Sequence, residues 1–416
     1  MAESIRTENT GLKAAKRWVL FLALFALPWI DATNISTLLL CGLGVLVIAD
    51  RPGTVPFKKI LADKVLWLFL LYYLAFVVAW IIFPADPLVR FALEQKAAFA
   101  VMPLLFAVLL NKDKTLWPQA RWAFVGGTVF ALACCLVNAL IKYRQVYDAG
   151  VFFYHDLVSL LSANAIYISV YVLVAIAYTI SFLDKEESSP MKKGALNGLL
   201  LFLLGTLFLL SSKTLIITGV ILFLYCIYRY AASRLQKTGF ILLIIALLAA
   251  VFIFPNKIHE RYSTVAWKQP GIALKYKDYS TTTFDGLNLR MLLWRLSGEL
   301  LTDHNAWLTG LGGKHYHQAL NEKIVAYKMD EGYLNYDFHN QYIETLTGFG
   351  LGGLLWILFT LTYIVSQSVR RHHTMPTILT LIFSVSFLTE SFLETQAGIL
   401  VFTIIISGEW IQRPYS

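Results

Sequence analysis

One histidine, His339, stands in the run Asp337-Phe338-His339-Asn340-Gln341-Tyr342, and an apolar stretch beginning Ile343-Glu344-Thr345-Leu346 follows at once. If a helix starts near Asn340, the imidazole shares a stripe with Tyr342, Ile343, Leu346 and Gly350, at the first turn and facing protein. The positive end of a helix disfavours an imidazolium, so this histidine is expected to stay neutral and to be available as a general base at neutral pH. The same position also suits a structural histidine bonded to a backbone group.

Positive charge is the second ingredient. Leu289, Leu292, Leu293, Leu296 and Leu300 recur with helical spacing, which predicts an amphipathic helix from about Asn288. Arg290 and Trp294 fall together on the flank of that stripe, so Arg290 is expected to look into a cavity and Arg295 to face water. Elsewhere Arg90 and Lys96, Lys142 and Arg144, and Lys213 sit in short pieces between apolar runs. A cation flanked by apolar helices costs a few kcal/mol unless it is paired or faces an anion. The nearby carboxylates are few (Asp86, Glu94, Asp148, Asp156), so some of these cations are expected to meet an anionic lipid head group, with snorkelling to lipid phosphate as the plain alternative. Glu390 and Glu394, four residues apart, suit pairing with one of these cations, binding a sugar hydroxyl, or acting as a base. Gly310, Gly312 and Gly313 predict a tight turn, but no strand precedes it and no Gly-Lys-Ser/Thr closes it, so it is a poor phosphate loop.

The elements that must position these residues are membrane helices. Of 416 residues, 57% are hydrophobic and 15% charged, which excludes a cytosolic enzyme. Twelve spans are predicted, near 18–30, 34–49, 65–83, 97–110, 122–140, 157–183, 196–211, 214–228, 238–255, 342–367, 377–392 and 396–411. With the N-terminus inside, 20 of the 35 Lys and Arg fall on inside pieces, five on short outside pieces and ten in one long outside segment. Both termini are therefore expected in the cytoplasm, and the net charge of +9 serves topology, so no nucleic-acid partner is needed to explain it. The first apolar run is expected to be a retained span rather than a cleaved signal. The expected organisation is a transmembrane bundle over 1–255 (about nine spans), an outer loop over 256–341 holding five of the eight histidines, and about three spans over 342–416. The cysteines all lie in apolar runs, and zinc-site spacing, Asp-x-Asp, His-Glu-x-x-His and Gly-x-Ser-x-Gly are missing; His315-x-His317 is a weak metal pair. No metal or other cofactor is expected, and arginine and lysine would have to neutralise any phosphate leaving group.

Several runs together resemble the O-antigen ligase family, which includes lipopolysaccharide O-antigen ligases and Wzy-type polymerases. They are Lys213 after Ser211-Ser212, Asn288-Leu-Arg290-x-x-x-Trp294, Trp307-Leu-Thr-Gly310-Leu-Gly312-Gly313, and His339-Asn340-x-Tyr342-x-x-x-Leu346-x-x-x-Gly350-Leu-Gly352. The resemblance implies an all-α, GT-C-like polytopic protein of a bacterial inner membrane with a periplasmic catalytic loop. It also implies inverting, metal-independent transfer of a glycan from undecaprenyl diphosphate to a sugar hydroxyl of the lipid A-core oligosaccharide, among membrane lipids. By the same resemblance His339 activates the acceptor hydroxyl and Arg290 holds the diphosphate, with Lys213, Arg90, Lys96 and Arg144 as further diphosphate cations. Tyr342, Asn340, Trp294, Glu390 and Glu394 are candidates for acceptor contact or support. Lys213 replaces the family's usual arginine, which exchanges a fork for a point charge. Polymerase and protein-glycan ligase remain rival readings, as does a flippase for lipid-linked oligosaccharide, although the long outer segment with its buried-face histidine favours an enzyme.

Overall fold

The computed structural model describes residues 10–29, 33–50, 57–185, 190–210, 213–230, 238, 270–280, 284 and 286–412. Every regular element among them is a helix. Among the described residues, six helices are long and apolar enough to cross a membrane: Lys64–Ile82, Pro87–Lys112, Leu116–Val146, Ala165–Leu183, Met191–Leu209 and Gln341–Arg370. Asn34–Ala49, Thr374–Ser386 and Gln396–Ile411 are shorter apolar helices. Helices Thr10–Ala26 and Lys213–Tyr230 stand where two further spans were expected, while the expected span 238–255 lies, apart from Thr238, outside the described residues.

Local chemistry explains where the boundaries depart from expectation. Asp86 caps the helix Pro87–Lys96 by accepting from Leu88 N–H, and Pro87 occupies the first turn, where its missing N–H costs nothing. This helix runs into Ala98–Lys112, so the span expected to be short at 97–110 has a 26-residue helical stretch. The span expected at 157–183 starts only at Ala165, after two short turns. The one expected at 377–392 ends at Ser386, and residues 387–395 form a segment of turns with one short 3-10 helix, Phe392–Glu394, that carries Glu390 and Glu394.

Helix Ala165–Lys185 is apolar around its whole circumference, and 89% of its apolar window is buried, against 28–56% for the other five long candidates. It is therefore the helix around which the bundle packs. Arg121 reaches Glu409 with two bonds (2.7 and 2.6 Å), and Trp117 Nε1–H donates to the same carboxylate, tying Leu116–Val146 to Gln396–Ile411. The segment before residue 341 has a core of its own, in which Leu292, Leu293, Leu296, Tyr316, Leu320 and Phe338 are buried together. The leucine stripe on Gly286–Asp303 faces this core, as its periodicity predicts.

The last long helix, Gln341–Arg370, is broken at Gly350, whose φ of 65° and ψ of −162° belong to a region only glycine enters readily. The turn at 307–313 fills the break. Leu311 N–H donates to Thr347 O (2.9 Å), Gly312 N–H to Gly348 O (2.9 Å), and Leu351 N–H to Trp307 O (2.8 Å). Backbone groups freed by the kink are thus satisfied by the glycine turn, whose purpose is to clasp a helix rather than a phosphate. A Cβ on Gly350 would collide with Leu308 O, and one on Gly310 with the amides of Phe349 and Gly350. Gly350→Ala is therefore expected to destabilise the protein by at least about 1–3 kcal/mol of backbone strain. Thermal unfolding in detergent reads this as a clearly lowered midpoint; an unchanged midpoint would refute the clasp.

Candidate active site

Asn340 caps the helix Gln341–Arg370, its Oδ1 accepting from Tyr342 N–H (3.0 Å) and Ile343 N–H (3.1 Å). His339 therefore precedes the helix rather than occupying its first turn, and its φ of +46° is left-handed, an uncommon setting for a residue with a side chain. Bonds from several segments hold it there. Asp337 Oδ1 accepts His339 N–H (2.7 Å), Trp294 Nε1–H donates to Phe338 O (2.9 Å), and Asn340 N–H donates to Ser391 Oγ (3.2 Å). Trp294 thus joins the amphipathic helix to the histidine loop, and Tyr342 supports the helix start by donating to Ser384 O (2.9 Å).

The imidazole lies 3.2 Å through Nδ1 from Glu390 Oε2, and Arg290 Nη2 donates to Glu390 Oε1 at 3.0 Å. Glu390 is buried, at 4% side-chain exposure, while His339 and Arg290 keep about a quarter of theirs. An ionised carboxylate paired with arginine can only accept, so Nδ1 carries the proton and Nε2 keeps the lone pair. Burial alone would push the His339 pKa down. The hydrogen bond to Glu390 and the charges of Asp337 and Glu390 outweigh burial and the opposing Arg290, so the pKa stands above the ordinary 6.5. This reverses the expected direction: two carboxylates at the ring govern it, not a helix end. Arg290 also donates to Gly286 O (3.1 Å), and its buried Nε–H has no partner among the described residues.

Behind this triplet lies a row of alternating charges. Lys96 is fully buried and pairs with Glu394 (3.0 Å); Lys314 pairs with Glu394 (3.1 Å) and Glu344 (3.3 Å). Burial would raise the Glu394 pKa, but Lys314 and Lys96 hold it well below the usual carboxylate range. Gln341 joins the row through Glu394 (3.1 Å) and Leu393 N–H (2.7 Å). Lys314 also donates to His317 Nε2 (3.3 Å), and burial together with the Lys314 charge lowers the His317 pKa to about 4.

Of the candidate residues, His339, Arg290, Trp294, Asn340, Tyr342, Glu390 and Glu394 come together. Lys96 does too, but its charge is spent on Glu394, so it is not free for a diphosphate as expected; the matching carboxylate is distant in sequence. Arg90 pairs with Glu94 on an exposed surface (3.2 Å), and Arg144 is exposed near the end of Leu116–Val146; neither has a contact with the triplet. Lys213 begins the helix Lys213–Tyr230, and its side chain lies outside the described ones. Arg295 does not face water. It is 13% exposed and bonds Glu299, Ala273 O and Tyr276 O, because residues 270–280 cover that side of the helix. His315 and His317 have different partners, Asp86 (2.8 Å) and Lys314. Lys314, Glu344 and Ser391 were not singled out from sequence, although an ionisable residue such as Glu344 within a span is itself a signal.

Residues 198–358 match the model of a family described as O-antigen ligase. That stretch contains the amphipathic helix, the glycine turn, His339 and the first part of the broken helix with Gly350, but not Glu390, Glu394 or Lys96. No curated protein matches the chain.

Proposed function

From the match of residues 198–358 to the O-antigen ligase family model, we propose that this protein transfers a glycan from undecaprenyl diphosphate to a sugar hydroxyl of the lipid A-core oligosaccharide. The reaction takes place at the periplasmic face of a bacterial inner membrane, with both termini cytoplasmic. The observation that carries the reading is the Arg290–Glu390–His339 chain at the head of a span.

In this mechanism the acceptor hydroxyl gives its proton to His339 Nε2 as its oxygen attacks the anomeric carbon from the face opposite the diphosphate. The bond from that carbon to the phosphate oxygen breaks, and undecaprenyl diphosphate leaves with the electron pair, so the anomeric configuration inverts. Glu390 stabilises the imidazolium that forms, as an acidic partner does for a catalytic histidine. Arg290, bonded to the same carboxylate through Nη2 and with an Nε–H that has no partner among the described residues, supplies a donor and positive charge for the leaving diphosphate, which makes a divalent metal unnecessary. The polyprenyl tail stays in the bilayer throughout.

Reconstitution tests this reading. Purified protein in liposomes, given a glycan on undecaprenyl diphosphate and lipid A-core, is expected to form glycan on lipid A-core with inverted linkage and with chelator present. Longer lipid-linked glycan with bare core would mark a polymerase, and no transfer at all would overturn the proposal.

A further inference from the structure

Glu344 is the fourth residue of the membrane-length helix Gln341–Arg370, is 3% exposed, and bonds four donors, none of them a backbone N–H of its own helix. Its Oε1 accepts from Lys314 and the Tyr316 hydroxyl. Its Oε2 accepts from Phe338 N–H (3.2 Å) and Ser391 Oγ–H (3.2 Å). Ser391 Oγ in turn accepts Asn340 N–H (3.2 Å). One carboxylate oxygen therefore holds the amide of the residue before His339 directly, and that of the residue after it through Ser391. Ser391 also directly follows Glu390. The same oxygen fixes the two segments that bring the imidazole and its carboxylate partner together.

We infer that Glu344 is a positioning residue, resting on the proposed role of His339: it sets the register between the His339 loop and the Glu390 segment and so holds the Nδ1–Glu390 bond in place. The chain Glu344–Lys314–Glu394–Lys96 anchors that register to the buried part of Pro87–Lys112. A carboxylate fits this task where an amide does not. Each oxygen faces two donors, and a glutamine would turn an NH₂ group on one such pair, leaving buried donors facing each other.

The test uses the full-length protein in the reconstituted assay, with Glu344→Gln, Ser391→Ala and the double variant. Glu344→Gln is expected to keep the donor KM, to lower kcat about 10- to 100-fold, as loss of a group that orients a functional side chain does, and to move the acid limb of the kcat/KM profile to lower pH. The groups facing His339 are Glu390, Asp337, Arg290 and Tyr336. Asp337 is bound to the His339 loop itself, so the limb moves only if the Glu390 contact loosens. Ser391→Ala is expected to shift the limb the same way with a smaller kcat loss, and the double variant to cost no more than Glu344→Gln. Should Glu344→Gln fail to fold, Ser391→Ala alone decides. A folded Glu344→Gln with parental kcat, a kcat loss with an unmoved limb, or a parental Ser391→Ala would each overturn the inference. Full activity in His339→Ala would instead sink the proposed function.

Discussion

Purified His339→Ala is expected to lose transfer by about 10²- to 10⁴-fold, the usual worth of a positioned general base, while remaining folded. The side chain is part-exposed, and its removal leaves Glu390 paired with Arg290, so no buried charge is orphaned. The backbone needs its own control, because alanine enters the left-handed region at a cost. His339→Asn tolerates that conformation better and has no base, so it should be equally inactive with an unfolding midpoint nearer the parent's. Parental turnover in either variant would show that the imidazole takes no proton.

Glu390→Gln should be the next most damaging change, with transfer reduced about 100-fold. Two losses combine. The Arg290 guanidinium, three-quarters buried, is left without its counter-charge, and the imidazole loses the acceptor that fixes its tautomer. A neutral amide can still touch both partners, so the fold should persist with a lowered unfolding midpoint. Steady-state kinetics over the donor concentration reads the effect; a rate within twofold of the parent would remove Glu390 from the mechanism.

Much of this was legible in the sequence wherever short-range periodicity carries it. Five leucines at helical spacing located Gly286–Asp303 and put Arg290 and Trp294 on the side facing His339. The helix start near Asn340 was legible too, but not that Asn340 caps it from outside and leaves His339 before the first turn. Pairings between distant segments were not legible. Nothing near Lys96 suggests that its partner is Glu394, and nothing near Arg295 suggests that residues 270–280 cover it. The glycine turn was recognised as a turn, but its use depends on a break at Gly350, inside what reads as one continuous apolar span. The pKa of His339 was misread for the same reason: a helix end is visible in sequence, whereas Glu390, 51 residues on, is not.

The pH dependence of transfer in the parent and in Glu390→Gln tests most directly whether the His339–Glu390 pair is the base. His339 must be unprotonated to act, so activity should fall as pH drops through its pKa, and the parent's acid limb should lie above 6.5. In Glu390→Gln the charge of Glu390 and its hydrogen bond as a carboxylate are gone, while burial, Arg290 and the Asp337 charge remain, so the residual activity should show a limb at lower pH than the parent's. A parental limb at or below 6.5, or one that stays in place when Glu390 loses its charge, would contradict the account.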